Sequence, residues 1–215
     1  EQRRARVEKD RQLAAVIEQC EADLKRLRRQ AQRDQRSAQR AYFEEVRSTG
    51  ADATEFFAVK DRTEKYATGT HGINMSVIKV ERVVAAHLES KWLEARLGLV
   101  DPSKKPLELF HGTSEDGVKG ICENGFRLPE WSDNNMFGQG AYFATDSSKS
   151  AQEIYTKGSN RIMLCDVLLG KACEITGLRD KYPLQKHLKT SRKTRSYLDV
   201  DREKVRAAGF DSVYA

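Results

Sequence analysis

Apolar residues are spread unevenly along this chain, and their spacing changes character near residue 48. Residues 6–47 contain no Gly or Pro and are rich in Ala, Gln, Arg, Glu and Leu, a composition that predicts one long helix. Within it Leu13, Ile17, Cys20, Leu24, Leu27 and Ala31 recur at alternating steps of four and three, the spacing of a coiled-coil seam. The register then meets Asp34, Ala38, Ala41 and Glu45, so the good heptads are few and a coiled coil would be short. Residues 48–72 hold STGAD, the pair Phe56 and Phe57, and TGTHG, and read as a connection with room for one short element.

After residue 73 the period shortens. Ile78, Val80 and Val83 alternate with polar residues, which predicts a strand feeding a helix over 84–97, and DPSKKP at 101–106 is a turn by composition. Short strands, turns and helices then interleave. These are LELFHG, a helix over 115–123, the loop FRLPEWSDNNMFGQG, the strand AYFA, a helix after Ser147, the strand IMLCDVLL and a last strand near 210–214. The pattern predicts an α+β domain with a mainly antiparallel sheet, preceded by the long helix. The expected organisation is a helical segment 1–48, a linker 49–72 and a catalytic or binding domain 73–215.

Charge alters this picture mainly at the N-terminus. The chain of 215 residues carries a net charge of +6, and residues 1–48 hold 13 Lys/Arg against 9 Asp/Glu. Lys25, Arg29, Arg33, Arg36 and Arg40 fall at helical spacing, a solvated face in the ordinary case and a ridge for nucleic-acid phosphates in the sharper one. KHLKTSRKTR at 186–195 is a second basic run, read as a solvated loop first and an acceptor contact second. No apolar run of about 18 residues and no secretory leader is present, and Cys20, Cys122, Cys165 and Cys173 are scattered. An intracellular protein with reduced thiols, no membrane span and no bound metal is expected, with nucleus and cytoplasm undistinguished. The first residue is Glu, as in a piece of a longer protein.

Two short segments carry candidate chemistry. In LFHGTS an apolar strand delivers His111 and Gly112 to its end, where a glycine lets a flat ligand approach backbone N–H and C=O groups that match an amide. In FGQGAYFATDSSKS, at 137–150, Tyr142 and Phe143 face opposite ways, so the first could offer its ring to a ligand while the second enters the core. The serines that follow are, in the bland reading, helix caps.

Taken in order, LFHGTS, NGF at 124–126, FGQGAYFA, SSKS and LLGKAC resemble the catalytic domain of poly(ADP-ribose) polymerase-type, diphtheria-toxin-like ADP-ribosyltransferases. IKVERV and the helix containing Lys91 and Trp92 resemble the opening strand and helix of the mono-ADP-ribosylating members. The resemblance implies a split-sheet ADP-ribosyltransferase fold and a glycosyltransferase that moves ADP-ribose from NAD to a protein acceptor and releases nicotinamide. It implies that His111 bonds the adenosine ribose, that Gly112 clamps the nicotinamide amide with its backbone, that Ser150 touches the same amide and that Tyr142 packs on the ring. Thr113 stands where the family has Ser or Thr, and the loop 127–136 matches the segment that covers the donor. The family's second tyrosine falls at position 153, which is Glu153 here, so Tyr155 is the candidate substitute.

Elementary chemistry agrees with such roles. Cleavage of the nicotinamide bond passes through an oxocarbenium-like ribosyl cation, so rigid holding of amide, ring and ribose supplies much of what the reaction needs, and a nearby negative charge would favour the cation. The resemblance sets the family's third signature residue on a late strand past 209–213, beyond Ala215. Mono-transfer is favoured by HGTS, by IKVERV and by the short interval between His111 and Tyr142. Two other readings stand beside it: an inactive NAD-fold scaffold acting through its N-terminal helix, as a homo-oligomer or with partners, and a transferase acting on nucleic acid.

Overall fold

The computed structural model of the chain describes residues 2–34, 41–65, 71–128, 140–174 and 202–214. Helix α1 runs Gln2–Asp34, strand β1 Tyr42–Val46 and helix α2 Ala53–Glu64, after a short turn at Gly50–Asp52. Strand β2 (Val80–Val84), helix α3 (Ala86–Leu97), strand β3 (Leu107–His111) and helix α4 (Glu115–Asn124) follow. The two single-turn helices α5 (Ser147–Ser150) and α6 (Glu153–Thr156) precede β4 (Met163–Val167), β5 (Ala172–Glu174), α7 (Arg202–Ala207) and β6 (Ser212–Tyr214).

Three strand pairs result. β1 pairs antiparallel with β2, β3 antiparallel with β4, and β5 parallel with β6. The expected α+β class with mainly antiparallel pairing is observed, and the 84–97 and 115–123 helices appear within a residue or two of their expected ends. The basic run at 186–195 lies outside the described residues.

Two expectations are corrected. Residues 42–46, expected to continue the long helix, form β1 instead. Tyr42, Phe43 and Val46 are strand-favouring residues, and pairing with β2 satisfies their backbone while joining Glu44 to Arg82 across the strands at 3.1 Å. Arg82 also meets Glu55 of α2 and Asp52, and these carboxylates raise its pKa, with the Glu55 hydrogen bond the largest cause. The second correction concerns AYFA. Only Ala144 pairs, in a single bridge to Phe110 with backbone bonds of 2.7 and 2.9 Å.

The seam read from the sequence is used within the chain. α1 packs on α3, with Cys20 and Leu24 of the seam buried, and Arg28 pairs with Glu94 of α3 at 2.9 Å. Lys25 and Arg29 remain exposed. The described core is small and centred on β3, where Leu109 and Phe110 are buried, Phe110 completely. Arg62 of α2 braces this strand: its guanidinium donates to the carbonyls of Glu108 and Thr145, each at 3.3 Å, and lies 5.2 Å from the Phe110 ring centroid. No helix among the described residues is long and apolar enough to cross a membrane.

Candidate functional site

The site is built where the β3 ladder breaks. Along a strand the backbone N–H and C=O groups of alternate residues point to the same edge. Phe110 spends its pair on Ala144, so the next rung on that edge would join Gly112 to Tyr142. That rung is not made. The Tyr142 carbonyl instead accepts from the His111 ring at Nδ1, 2.8 Å away. Gly112, half-buried, keeps an N–H and a C=O with no hydrogen bond among the described residues, groups left for an outside partner. The broken rung also explains why AYFA shrinks to one bridge.

His111 is fixed by the same bond. A carbonyl can only accept, so Nδ1 carries the proton, and in the neutral ring Nε2 is left as an acceptor suited to a hydroxyl. Phe126 stands edge-on to the imidazole at 5.0 Å and Phe143 lies at 5.5 Å, the two phenyl rings meeting at 5.0 Å. These aromatics hold the ring plane. Phe126 is delivered by Gly125, which ends α4 with a φ of 83° that an L side chain rarely adopts.

Gly112 has no room for a side chain. A Cβ there would run into the Ser150 carbonyl and lie 3.2 Å from Cβ of Tyr155. The structure therefore brings Gly112, Ser150 and Tyr155 together, three residues that the sequence singled out. Ser150 is buried, and its hydroxyl has no partner among the described residues. Tyr155 and Tyr142 are partly exposed, at 40% and 38%, so both rings are accessible. Glu153, which holds the family's tyrosine position, is exposed on the first residue of α6, whereas Tyr155 is the residue of that turn beside Gly112. Thr113 is half-buried, and its Oγ1 lies against Gly117 in α4, so it secures the strand end to the helix that Ser114 caps.

Several contributors escaped the sequence reading. Lys149 sets its ammonium 5.3 Å from the Tyr155 ring centroid, putting a positive charge at the edge of the group. Phe126 and Phe143 flank His111, a role their spacing alone does not reveal. His71, inside the stretch read as a connection, meets Ser148 Oγ at 3.1 Å. A thiol nucleophile is disfavoured: Cys165, opposite Leu109 in the ladder, is pushed up to about 12 by burial, and burial also raises Cys122. Among the described residues no group of three or more His, Cys, Asp or Glu is gathered for a metal ion. Of the covering loop 127–136, residues 129–136 lie outside the described residues.

Comparison with known proteins identifies a family. A family model described as the poly(ADP-ribose) polymerase catalytic domain matches residues 53–209. The chain is 33% identical over 108 residues to the protein mono-ADP-ribosyltransferase PARP10 of Mus musculus, covering 46% of this chain and 11% of that protein. It is 34% identical over 134 residues to poly(ADP-ribose) polymerase 1 of Arabidopsis thaliana, covering 58% and 14% respectively. Poly(ADP-ribose) polymerase 2 of Arabidopsis thaliana is likewise 34% identical over 134 residues, with 59% and 20% covered. The chain thus spans between 11% and 20% of the length of these relatives.

Proposed function

The chain belongs to the poly(ADP-ribose) polymerase catalytic-domain family, and from that premise we propose that it transfers ADP-ribose from NAD to a protein acceptor and releases nicotinamide. The observation that carries this reading is the unmade rung at Gly112. A primary carboxamide needs one acceptor for its N–H and donors for its oxygen. The Gly112 C=O and N–H supply an acceptor and a donor, and Ser150, whose backbone carbonyl lies against Gly112, carries the hydroxyl that would complete the set.

NAD supplies the scissile glycosidic bond and a leaving group that departs as neutral nicotinamide. The protein's share is to hold that group and the ribose in line. Tyr142 and Tyr155 offer ring faces to the nicotinamide, and His111 accepts a ribose hydroxyl at Nε2. We assign Tyr155 the work of the family's second tyrosine, since it is the aromatic that adjoins Gly112. Transfer of a single ADP-ribose is our reading of the outcome, supported by HGTS, by IKVERV and by the short interval from His111 to Tyr142.

Incubation with NAD labelled in the nicotinamide ring tests the reading. Release of free nicotinamide, with His111→Ala and Tyr142→Ala each depressing it at least about tenfold, is expected. No release, together with no thermal shift on adding nicotinamide, would sink it. Acceptor adducts of one discrete mass are expected, and a ladder of masses would contradict single transfer.

A further inference from the structure

Ser150 sits on α5, a helix of four residues that cannot hold its own shape. One turn fixes several dihedrals for a single internal bond, here Ala151 N–H to the Ser147 carbonyl at 2.9 Å, and such a turn is unstable unless held from outside. The holds are visible. Ser147, fully buried, donates its hydroxyl to the Thr63 carbonyl of α2 at 2.6 Å. Asp146 caps the turn, accepting from the Ser148 N–H and the Ser148 hydroxyl, both at 2.8 Å.

The second of those bonds fixes a direction. A carboxylate only accepts, so the Ser148 proton is committed to Asp146, and Ser148 Oγ must receive from His71 Nδ1, 3.1 Å away. His71 Nδ1–H, the Ser148 hydroxyl and the Asp146 carboxylate form one chain that runs inward to the cap of α5. We propose that His71 is a positioning residue for the donor amide: with Thr63 it clamps α5, and so sets the Ser150 backbone against Gly112 and with it the direction of the Ser150 side chain. This rests on the reading of that corner as the nicotinamide site.

Transmission is short and stiff. Ser148 and Ser150 share a single turn, and the Ser150 carbonyl already presses on Gly112 where even one Cβ finds no space. Loosening of Ser148 therefore moves the amide-binding hydroxyl and the glycine edge relative to each other. His71 and Thr63 both precede β2, so the segment before the catalytic strands takes part in building the site.

Nicotinamide titration by calorimetry and hydrogen exchange over residues 146–151, on the full chain and its His71→Ala and His71→Asn variants, tests the clamp. Asn places an N–H where Nδ1 stands and should restore what Ala removes. His71→Ala should weaken nicotinamide binding by about three- to tenfold and speed exchange over 146–151, with His71→Asn close to the unsubstituted protein in both. Unchanged affinity and exchange in His71→Ala would overturn the clamp, and an Asn variant as impaired as Ala would overturn the donor role. Absence of nicotinamide binding by the unsubstituted chain would overturn the donor-site reading alone. The exchange comparison then decides the clamp by itself, with faster exchange in His71→Ala upholding it and equal exchange overturning it.

Discussion

β3 and α1 differ in how much of each is committed to the interior. β3 has five residues and buries Leu109 and Phe110. α1 has 33 residues and, among its described side chains, buries only Cys20 and Leu24. The strand is gripped from several sides at once: by β4 along one edge, by Ala144 on the other, by Arg62 from α2 and by the aromatic group around His111. The helix is held along one stripe on α3, with Arg28–Glu94 and Lys9–Asp101 at its margins. Position is therefore enforced at the strand end and only tethered at the helix. A site that needs fixed geometry belongs on the first.

That contrast can be broken in graded steps. The largest effect is expected from Gly112→Ala, where the new Cβ meets the Ser150 carbonyl; displacement of either wall by about 1 Å should lower nicotinamide release roughly 100-fold or more. Radiolabel release assays check it, and a near-normal rate would mean that the close approach is irrelevant. Phe110→Ala should come next, costing about 3–5 kcal/mol of stability in urea titration as a fully buried ring is removed.

Leu24→Ala should cost about 2 kcal/mol, the low end for a buried leucine, and leave nicotinamide affinity untouched. Weakened affinity in that variant would show that α1 does more than tether. The smallest effect concerns Asp101, whose carboxyl is held below its ordinary 3.8 chiefly by the Ser103 hydroxyl, with Lys9 of α1 assisting. A depressed folded-state pKa stabilises above the unfolded value and is lost as pH falls through the folded one. The melting-temperature gap between the natural chain and Asp101→Asn should thus be present at pH 6 and vanish under strongly acid conditions. A gap that grew on acidification would reverse the sign.

Much of the strand end was legible in the residues. The apolar runs LELFHG and IMLCDVLL mark β3 and β4, the helix expected over 115–123 is α4, and His111, Gly112, Ser150 and Tyr155 stand out in the residues without any sign of which of them meet. The need for glycine at 112 was not legible in full, because it depends on a carbonyl 38 positions away in the chain. β1 was hidden for a related reason: helix formers run into Tyr42 without a break, and only pairing with residues 80–84 makes it a strand. The seam of α1 told that something covers it without telling that α3 does. His71 gave no signal at all, since its hydrogen bond to Ser148 reaches a residue 77 positions on.

The central claim is that the unmade rung at Gly112 receives the carboxamide of nicotinamide. Titrating isotope-labelled protein with nicotinamide and following the Gly112 backbone amide resonance by NMR tests it most directly. A saturable downfield shift of that resonance, with smaller shifts at Ser150 and Tyr155, is expected as the N–H gains its missing acceptor. Saturation of binding with the Gly112 amide unmoved would contradict the account.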